Sequence, residues 1–370
     1  MNLSYWEIKE WLQNVDFTIV GSGIVGLSTA LFLKKRFPKC NIIILEKGIL
    51  PHGASTKNAG FACFGSLSEI VEDLKTHSKS EVFNLISKRV EGLHLLRKCL
   101  GDNAINFKLY GGYEIFLDND QNYDHYLNQM SSVNELLFPI FKSKVFTTID
   151  NSFQFSGIKN NYVFNQFEGQ LDTGKMMTSL LKLVQKLGVK ILNNVTVNSF
   201  TDLKHSVQIF TDKFELNSNK LILTTNGFTN SLVKLQVQPA RAQVLLTKPI
   251  PNLHIKGTFH MENGYYYFRN IDNRILFGGG RNLAFDQETT TDFAITDRIQ
   301  KELERRLQQL ILPQDSFEIE HRWSGIMGVG PQKTPIVAKQ SDSVLVGVRM
   351  GGMGLAIGCT IGKQISELMD

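Results

Sequence analysis

The sequence predicts an α/β fold, α+β overall, in which one strand–helix unit is divided between the two ends of the chain. Three observations predict it. "DFTIVGSGIVGLSTALFLKKRFP" near the N-terminus reads as buried strand, glycine turn and helix. "SVLVGVRMGGMGLAIGCTIGKQISELM" at the C-terminus repeats that order. Between them, residues 237–290 change to short strands bounded by turn residues, as in an antiparallel sheet. Strand–helix ends around a β-rich insert imply one discontinuous α/β unit and a second built on a mixed or antiparallel sheet plus helices.

Each element has a local reason. Ser4 with Glu7 three residues on makes a capping box for a short first helix, whose Ile8, Trp11 and Leu12 share a face. The helix after the glycine turn ends before Pro38, and "NIIILEK" is the second strand. Helical patterns then run to about residue 140, with a strand at "YGGYEIFL". Strand–helix alternation returns in "GQLDTGKMMTSLLKLVQKLGVKILNNVTV", followed by a hairpin at "VQIFTD" and "FELNSN" and a buried strand at "KLILTTNG". In the insert, "ARAQVLLT", "GYYYFR" and "RILFGGGR" read as strands. The helix "ITDRIQKELERRLQQLIL" places Ile299, Leu303, Leu307 and Leu310 inward and its charges outward.

Composition excludes several classes. The 370 residues carry 40 basic and 35 acidic side chains, scattered without a lysine or arginine run, so a nucleic-acid face is not expected. No apolar stretch is long enough for a spanning helix. Glutamates stand where a signal peptide would have its apolar core, and Cys40, Cys63, Cys99 and Cys359 lie far apart without a CxxC pair. The expectation is a cytoplasmic protein with reduced thiols and no metal site. The pattern carries no signal for an oligomeric state.

"GSGIVG" supplies Gly21, Gly23 and Gly26 in GxGxxG spacing, with Ser22, Ile24 and Val25 between them, after a strand and opening a helix. The glycines permit a tight turn, close approach of a pyrophosphate and close helix–strand packing, while the helix N-terminus attracts the anion. Glu46, followed by Lys47, ends the next strand, where a carboxylate accepts both ribose hydroxyls and repels a 2′-phosphate. The unit is therefore Rossmann-like, with NAD or FAD favoured over NADP. FAD is the better match, because its flavin needs small residues along its length. "GASTKNAG" offers Ala54, Ser55, Thr56, Asn58, Ala59 and Gly60. Gly351, Gly352, Met353, Gly354 and Leu355 open the last helix, whose free N–H groups can face the flavin pyrimidine edge.

Together "DFTIVGSGIVGLSTA…ILEKGILPHGASTKNAG", "GQLDTGKM", "TTNG", "WSGI" (with Gly325) and "GGMGLAIG" resemble the D-amino-acid-oxidase-like FAD oxidoreductases, a superfamily that includes glycine, sarcosine and γ-glutamylputrescine oxidases. The resemblance spans nearly the whole chain, and "SYWE" is most similar to the last branch. It implies an FAD domain of residues 1–80, 150–230 and 325–370, and a substrate domain of 81–149 and 231–324. It also implies Val195 or Val197 beside the adenine, and Thr225, Asn226 and Gly227 near the cofactor. The chain departs from the relatives at their carboxylate-gripping positions, which align with Met327, Gly60 and Ala356. The covalent cysteine of sarcosine oxidase falls near Gly328, so non-covalent FAD is expected.

The substrate side rests on fewer residues. Strand alternation puts Tyr265 and Tyr267 on one face and Tyr266 on the other, either as a packed sheet face or as an aromatic wall holding an amine. His260 is read as structural. Arg269, Arg281 or Arg349 can supply a relocated charge. Met353, with Met327 and Met350, is read as apolar lining. The expected activity is oxidation of a C–N bond in a small amine or amino-acid derivative, with hydride passing to flavin N5, imine hydrolysis and O2 as acceptor. The alternatives are a 2-hydroxy-acid dehydrogenase and a degenerate flavin-binding module.

Overall fold

A computed structural model describes residues 2–369, and its framework is two eight-stranded sheets. The first is built on parallel strands β1 (Val15–Val20), β2 (Ile42–Leu45), β8 (Lys190–Leu192), β11 (Glu215–Leu223) and β18 (Val344–Val348). Their order is β18-β11-β1-β2-β8, with Val20 opposite both Leu45 and Leu223. The runs "IIIL" and "VLVGV" are buried throughout, as parallel strands covered on both faces must be. β17 (Ile336–Lys339) closes one edge antiparallel, and β9 (Val197–Asp202) and β10 (Val207–Thr211) extend β11. β11 takes up both "ELNSN" and "KLIL" as one strand, where the sequence pattern predicts two.

Helices α2 (Ile24–Arg36), α6 (Thr173–Lys186) and α8 (Gly354–Glu367) share a core with this sheet. Ten consecutive residues of α2, Ile24 to Leu33, are buried, so it is a core helix instead of an amphipathic one. Small residues let α2 and α8 touch: a Cβ on Gly362 would lie 2.5 Å from Ser28 Cβ. α4 (Lys79–Leu100) approaches α8 as closely, since a Cβ on Gly92 would lie 2.1 Å from the Ala356 carbonyl oxygen.

The second sheet comprises β4 (Gly112–Glu114), β5 (Phe146–Asp150), β6 (Asn161–Asn165), β12 (Gln238–Thr247), β13 (Thr258–Met261), β14 (Tyr266–Ile271), β15 (Arg274–Gly279) and β16 (Ile319–Val329). Its order is β16-β12-β15-β14-β13-β4-β6-β5, antiparallel except between β13 and β4. One face packs against α7 (Asp297–Arg306) through Phe259, Phe268, Phe277 and Tyr266, with Phe259 and Phe268 stacked 4.5 Å apart. α3 (Leu67–Thr76) and α5 (Tyr123–Phe141) pack over the β5–β6 end. Sheet membership departs from the predicted division at residue 150, because β5 and β6 both belong to the second sheet. The chain returns at β7 (Gly169–Gln170), which pairs with β3 (Phe61–Ala62).

The capping box on α1 (Tyr5–Glu7) forms, but the predicted inward face does not. Ile8 and Trp11 are exposed, and only Leu12 packs against a core. No described helix is long and apolar enough to cross a membrane.

Candidate active site

Two helices end at one edge of the first sheet. α2 follows β1 and α8 follows β18, with β11 between those strands, so both helix N-termini lie at the carboxyl ends of parallel strands. That edge is where open α/β sheets bind ligands. Neither N-cap, Gly23 or Met353, bonds its own helix through a side chain, leaving positive ends that an anion or a polar ring edge can meet.

The glycine loop has the shape the sequence predicts. Gly21 sits at φ +101°, and a Cβ on Gly26 would fall 2.0 Å from the Gly21 carbonyl oxygen. Gly53 has nothing within 4 Å of where a Cβ would stand. Glu46 is buried and accepts from Ser22 N (2.9 Å), Ser22 Oγ (2.8 Å), Gly48 N (3.0 Å) and His52 N (3.3 Å). The carboxylate thus organises the loops on both sides of the expected ribose position. Val195 lies beside it, its N–H donating to the Glu46 carbonyl, while Val197 is buried where β9 begins. Lys47 is exposed.

The segment after β2 proves largely self-supporting. Ser55 Oγ accepts from Ile24 N at 2.9 Å, and Thr56 Oγ1 donates to the Pro51 carbonyl at 2.7 Å. Asn58 Nδ2 donates to the Ser55 carbonyl, and its Oδ1 accepts from Gly60 N and Thr173 Oγ1. These side chains, chosen from the sequence as ligand donors, hold the loop in place against α2 and α6. Asn226 plays a similar part: Oδ1 accepts from Arg349 N and Met350 N, fixing the glycine loop before α8. Gly227 lies under Met327, and Thr225 Oγ1 is bonded to Thr229 Oγ1. The cradle fits FAD in its glycine turn, its buried acid and its two uncapped helix ends.

The second sheet presents one layer of side chains to this cradle. Strand register aligns His260, Tyr267, Gly278, Val244 and Trp323 across β13, β14, β15, β12 and β16. Residues 57–63 cross that layer strand by strand. Trp323 Nε1 donates to the Lys57 carbonyl at 3.0 Å, and Ala59 packs with Val244 and Leu276. Arg269 Nη1 donates to the Gly60 carbonyl at 3.2 Å. Phe61 meets Tyr267 and His260 edge-on, 5.6 and 5.3 Å between centroids. Burial among these apolar groups pushes the Tyr267 hydroxyl up to about 12, so it stays protonated at neutral pH.

His260 is paired, as a structural histidine would be, and its partner Glu168 had no signal in the sequence. Nε2 lies 2.5 Å from Glu168 Oε1, which also accepts from Thr258 Oγ1 at 2.8 Å. Both partners are buried, and Cys63 lies with them, the three potential ligand atoms within 4.8 Å of one another. Burial pushes the Cys63 thiol up.

Three expectations change. Tyr265 precedes β14 in a turn and is 40% exposed, so it does not share a strand face with Tyr267 as expected. Arg349, in a left-handed conformation at φ 66°, spends its guanidinium on the Thr334 and Gln236 carbonyls. Arg269 is likewise committed to the Gly60 and Leu171 carbonyls, and burial brings it down to about 10. Arg281 alone of the three has no hydrogen-bond acceptor among the described residues. Met353 is half-buried against the first core, and Gly325 packs on Lys57.

Comparison with known proteins agrees with this geometry. A family model described as FAD dependent oxidoreductase matches residues 16–368. The probable oxidoreductase OrdL of Haemophilus influenzae is 22% identical, the alignment covering 96% of this chain and 83% of that protein. The gamma-glutamylputrescine oxidoreductase of Escherichia coli is 21% identical over the same shares. Among solved structures, glycine oxidase from Geobacillus kaustophilus superposes with a TM-score of 0.75 at 17% identity, covering 96% of this chain and 95% of that one. L-proline dehydrogenase from P. horikoshii gives 0.76 at 17%, covering 96% and 93%. A glycine cradle at one sheet edge, faced by the side-chain layer of a second sheet, thus belongs to a member of the FAD dependent oxidoreductase family.

Proposed function

We propose that the chain oxidises a C–N bond of an amine lacking an α-carboxylate, with FAD held non-covalently between the two sheets and O2 reoxidising it. Bound FAD supplies the two-electron acceptor for a hydride leaving the carbon next to nitrogen. Water then converts the imine to a carbonyl compound and a smaller amine, and O2 leaves as hydrogen peroxide. In this reading the first sheet holds the cofactor, and the layer from Tyr267 to Trp323 holds the substrate.

The observation that carries the reading is how the aligned carboxylate-gripping positions are filled. Gly60 stands at φ +74° with no room for a side chain, since a Cβ would lie 2.3 Å from the Leu171 carbonyl oxygen. Ala356 is 2% exposed, and Met327 sets its sulfur against Gly352. Charge placed at Gly60 or Ala356 would be buried and unpaired, and Met327 fills its half-buried position with an apolar side chain. Tyr267 and Trp323 offer a neutral aromatic surface, which suits an uncharged amine nitrogen approaching the ring. His260 is already sealed by Glu168 and needs no part in proton removal.

Anaerobic mixing tests this directly. Methylamine, butylamine and N-methylbutylamine are expected to bleach the flavin faster than glycine, sarcosine or D-alanine. Fastest bleaching by an α-amino acid would show that another cation grips its carboxylate, and bleaching by 2-hydroxy acids alone would replace the amine reading. Silence towards the whole panel would favour a flavin-binding module.

Acid precipitation addresses the cofactor link. The expected result is a yellow protein that releases one FAD per chain to the supernatant, since Gly328 stands where a covalent cysteine would. Flavin left in the washed pellet would sink the non-covalent part.

A further inference from the structure

The buried arginines of the second sheet and its helix are matched to acceptors. Arg241 pairs with Glu288 at 2.8 Å, Arg306 with Glu302 at 2.6 Å, and Arg269 bonds two carbonyls. Arg281 differs. It sits in the single turn Arg281–Leu283 just after β15, half-buried, and where Arg269 leaves only its Nε unmatched, Arg281 has no side-chain acceptor among the described residues. Its contact is the Phe285 ring, 5.0 Å from Cζ to centroid. The next residue, Asn282, has a buried and unpartnered Oδ1. Tyr265 closes the group, its ring 5.8 Å from Phe285 and its carbonyl accepting from Gly280 N at 3.0 Å.

Its placement relative to the tyrosine layer sets its reach. Gly278, three residues before Arg281, is the cross-strand partner of Tyr267. Three residues of chain extend at most about 10 Å. Tyr265 and Phe285 are 40% and 43% exposed, whereas Tyr267 is partly buried against the Ala59 cluster, so the Arg281 group lies nearer the surface than Tyr267. Burial lowers the Arg281 pKa, and Glu288, the acid facing it, is already held by Arg241 and Gln243. An unpaired buried donor and an unpaired buried acceptor on consecutive residues cost stability unless a ligand or water meets them.

We propose that Arg281, with Asn282 and Tyr265, receives a carboxylate carried several bonds from the oxidised carbon, making the substrate class an ω-amino acid or an N-substituted amine with a distal acid. The carboxylate accepts from the guanidinium, and in an N-substituted substrate that also carries an N–H near its distal acid, that N–H donates to Asn282 Oδ1. This rests on the amine reading above and adds the far end of the substrate.

The test uses holoenzyme and matched pairs in which a carboxylate replaces a methyl group: 4-aminobutanoate with butylamine, and 6-aminohexanoate with hexylamine. Wild type is expected to show a lower KM for the acid of at least one pair. Arg281→Met should raise that KM about 10- to 100-fold, the worth of a charge-assisted bond. It should leave kcat for the acid and both constants for the uncharged partner within about twofold, and Arg281→Lys should recover part of the loss. Butanoate, which has no nitrogen to oxidise, provides a readout without turnover by raising the wild-type Tm and not that of Arg281→Met. Should no amine bleach the flavin while butanoate protection still depends on Arg281, the amine reading fails and the carboxylate site stands. Equal constants for acid and uncharged partner, or butanoate protection unchanged in Arg281→Met and Arg281→Lys, would overturn the site. Loss of flavin from Arg281→Met moves the comparison to Arg281→Lys and Arg281→Gln, read by the same butanoate shift.

Discussion

Glu168→Ala is expected to destabilise the folded chain by about 3–5 kcal/mol, because it leaves His260 buried without its partner. Glu168 and His260 are 1% and 6% exposed, and the 2.5 Å contact joins the residue before β7 to β13 of the second sheet. Relaxation has little room: a Cβ on Gly112 would already stand 2.3 Å from Glu168 Oε2. Burial alone pulls the imidazole towards neutrality, but the Glu168 carboxylate, with Glu69 and Glu114 behind it, raises His260 to about 9. Cys63 on the β3 side stays a thiol, and Arg89 faces the same cluster.

The sign of the pH dependence follows. The folded-state value lies above the ordinary 6.5, so the pair's contribution is complete below about pH 6.5 and disappears as pH rises through about 9. Wild type should therefore be more stable than His260→Gln at pH 6, and the gap in unfolding free energy should shrink steadily towards pH 9. A gap independent of pH over that range would show that His260 is neutral in the folded protein, held by shape and a neutral hydrogen bond.

This pair also marks what the sequence conceals. Gly21, Gly23, Gly26 and Glu46 are legible because their meaning is local: a turn, a helix start and a strand end within one short unit. The parallel strands are equally plain as unbroken apolar runs. Glu168 and His260 are 92 residues apart, and nothing near either announces the other. Arg349 reads as a free cation only until its positive φ and its carbonyl partners are known. Asn58 and Ser55 have the right chemistry for a ligand, yet the loop itself is the nearer acceptor and donor. Tyr265 fails the alternation rule because Gly264, at φ +79°, turns the chain just before the strand begins. Lys57 and Phe61 carry no such signal, because Lys57 closes a 3-10 turn at αR dihedrals and Gly60 turns the chain again at φ +74°, so their meeting with the second sheet follows no regular spacing.

Glu46→Ala is expected to weaken FAD binding about 10- to 1,000-fold, the loss of one or two charge-assisted hydrogen bonds at about 1.5–3 kcal/mol each. Four donors already converge on this carboxylate, two from Ser22 in the glycine loop and two from Gly48 N and His52 N beyond β2. Removing it leaves the Ser22 and Gly48 N–H groups without their acceptor, so the FAD-free protein should also lose stability. Glu46→Gln should behave nearly as badly, because an amide NH2 placed against the Ser22 donors replaces attraction with conflict. Titrating flavin-free protein with FAD, followed by quenching of flavin fluorescence, gives the affinity, and urea unfolding of the same preparation gives the stability. A fall in stability with FAD affinity within about twofold of wild type would make Glu46 an organiser of the two loops and remove it from the ribose. A fall in affinity alone would mean that Ser22 and Gly48 find water in its place, and that the carboxylate acts chiefly on the bound cofactor.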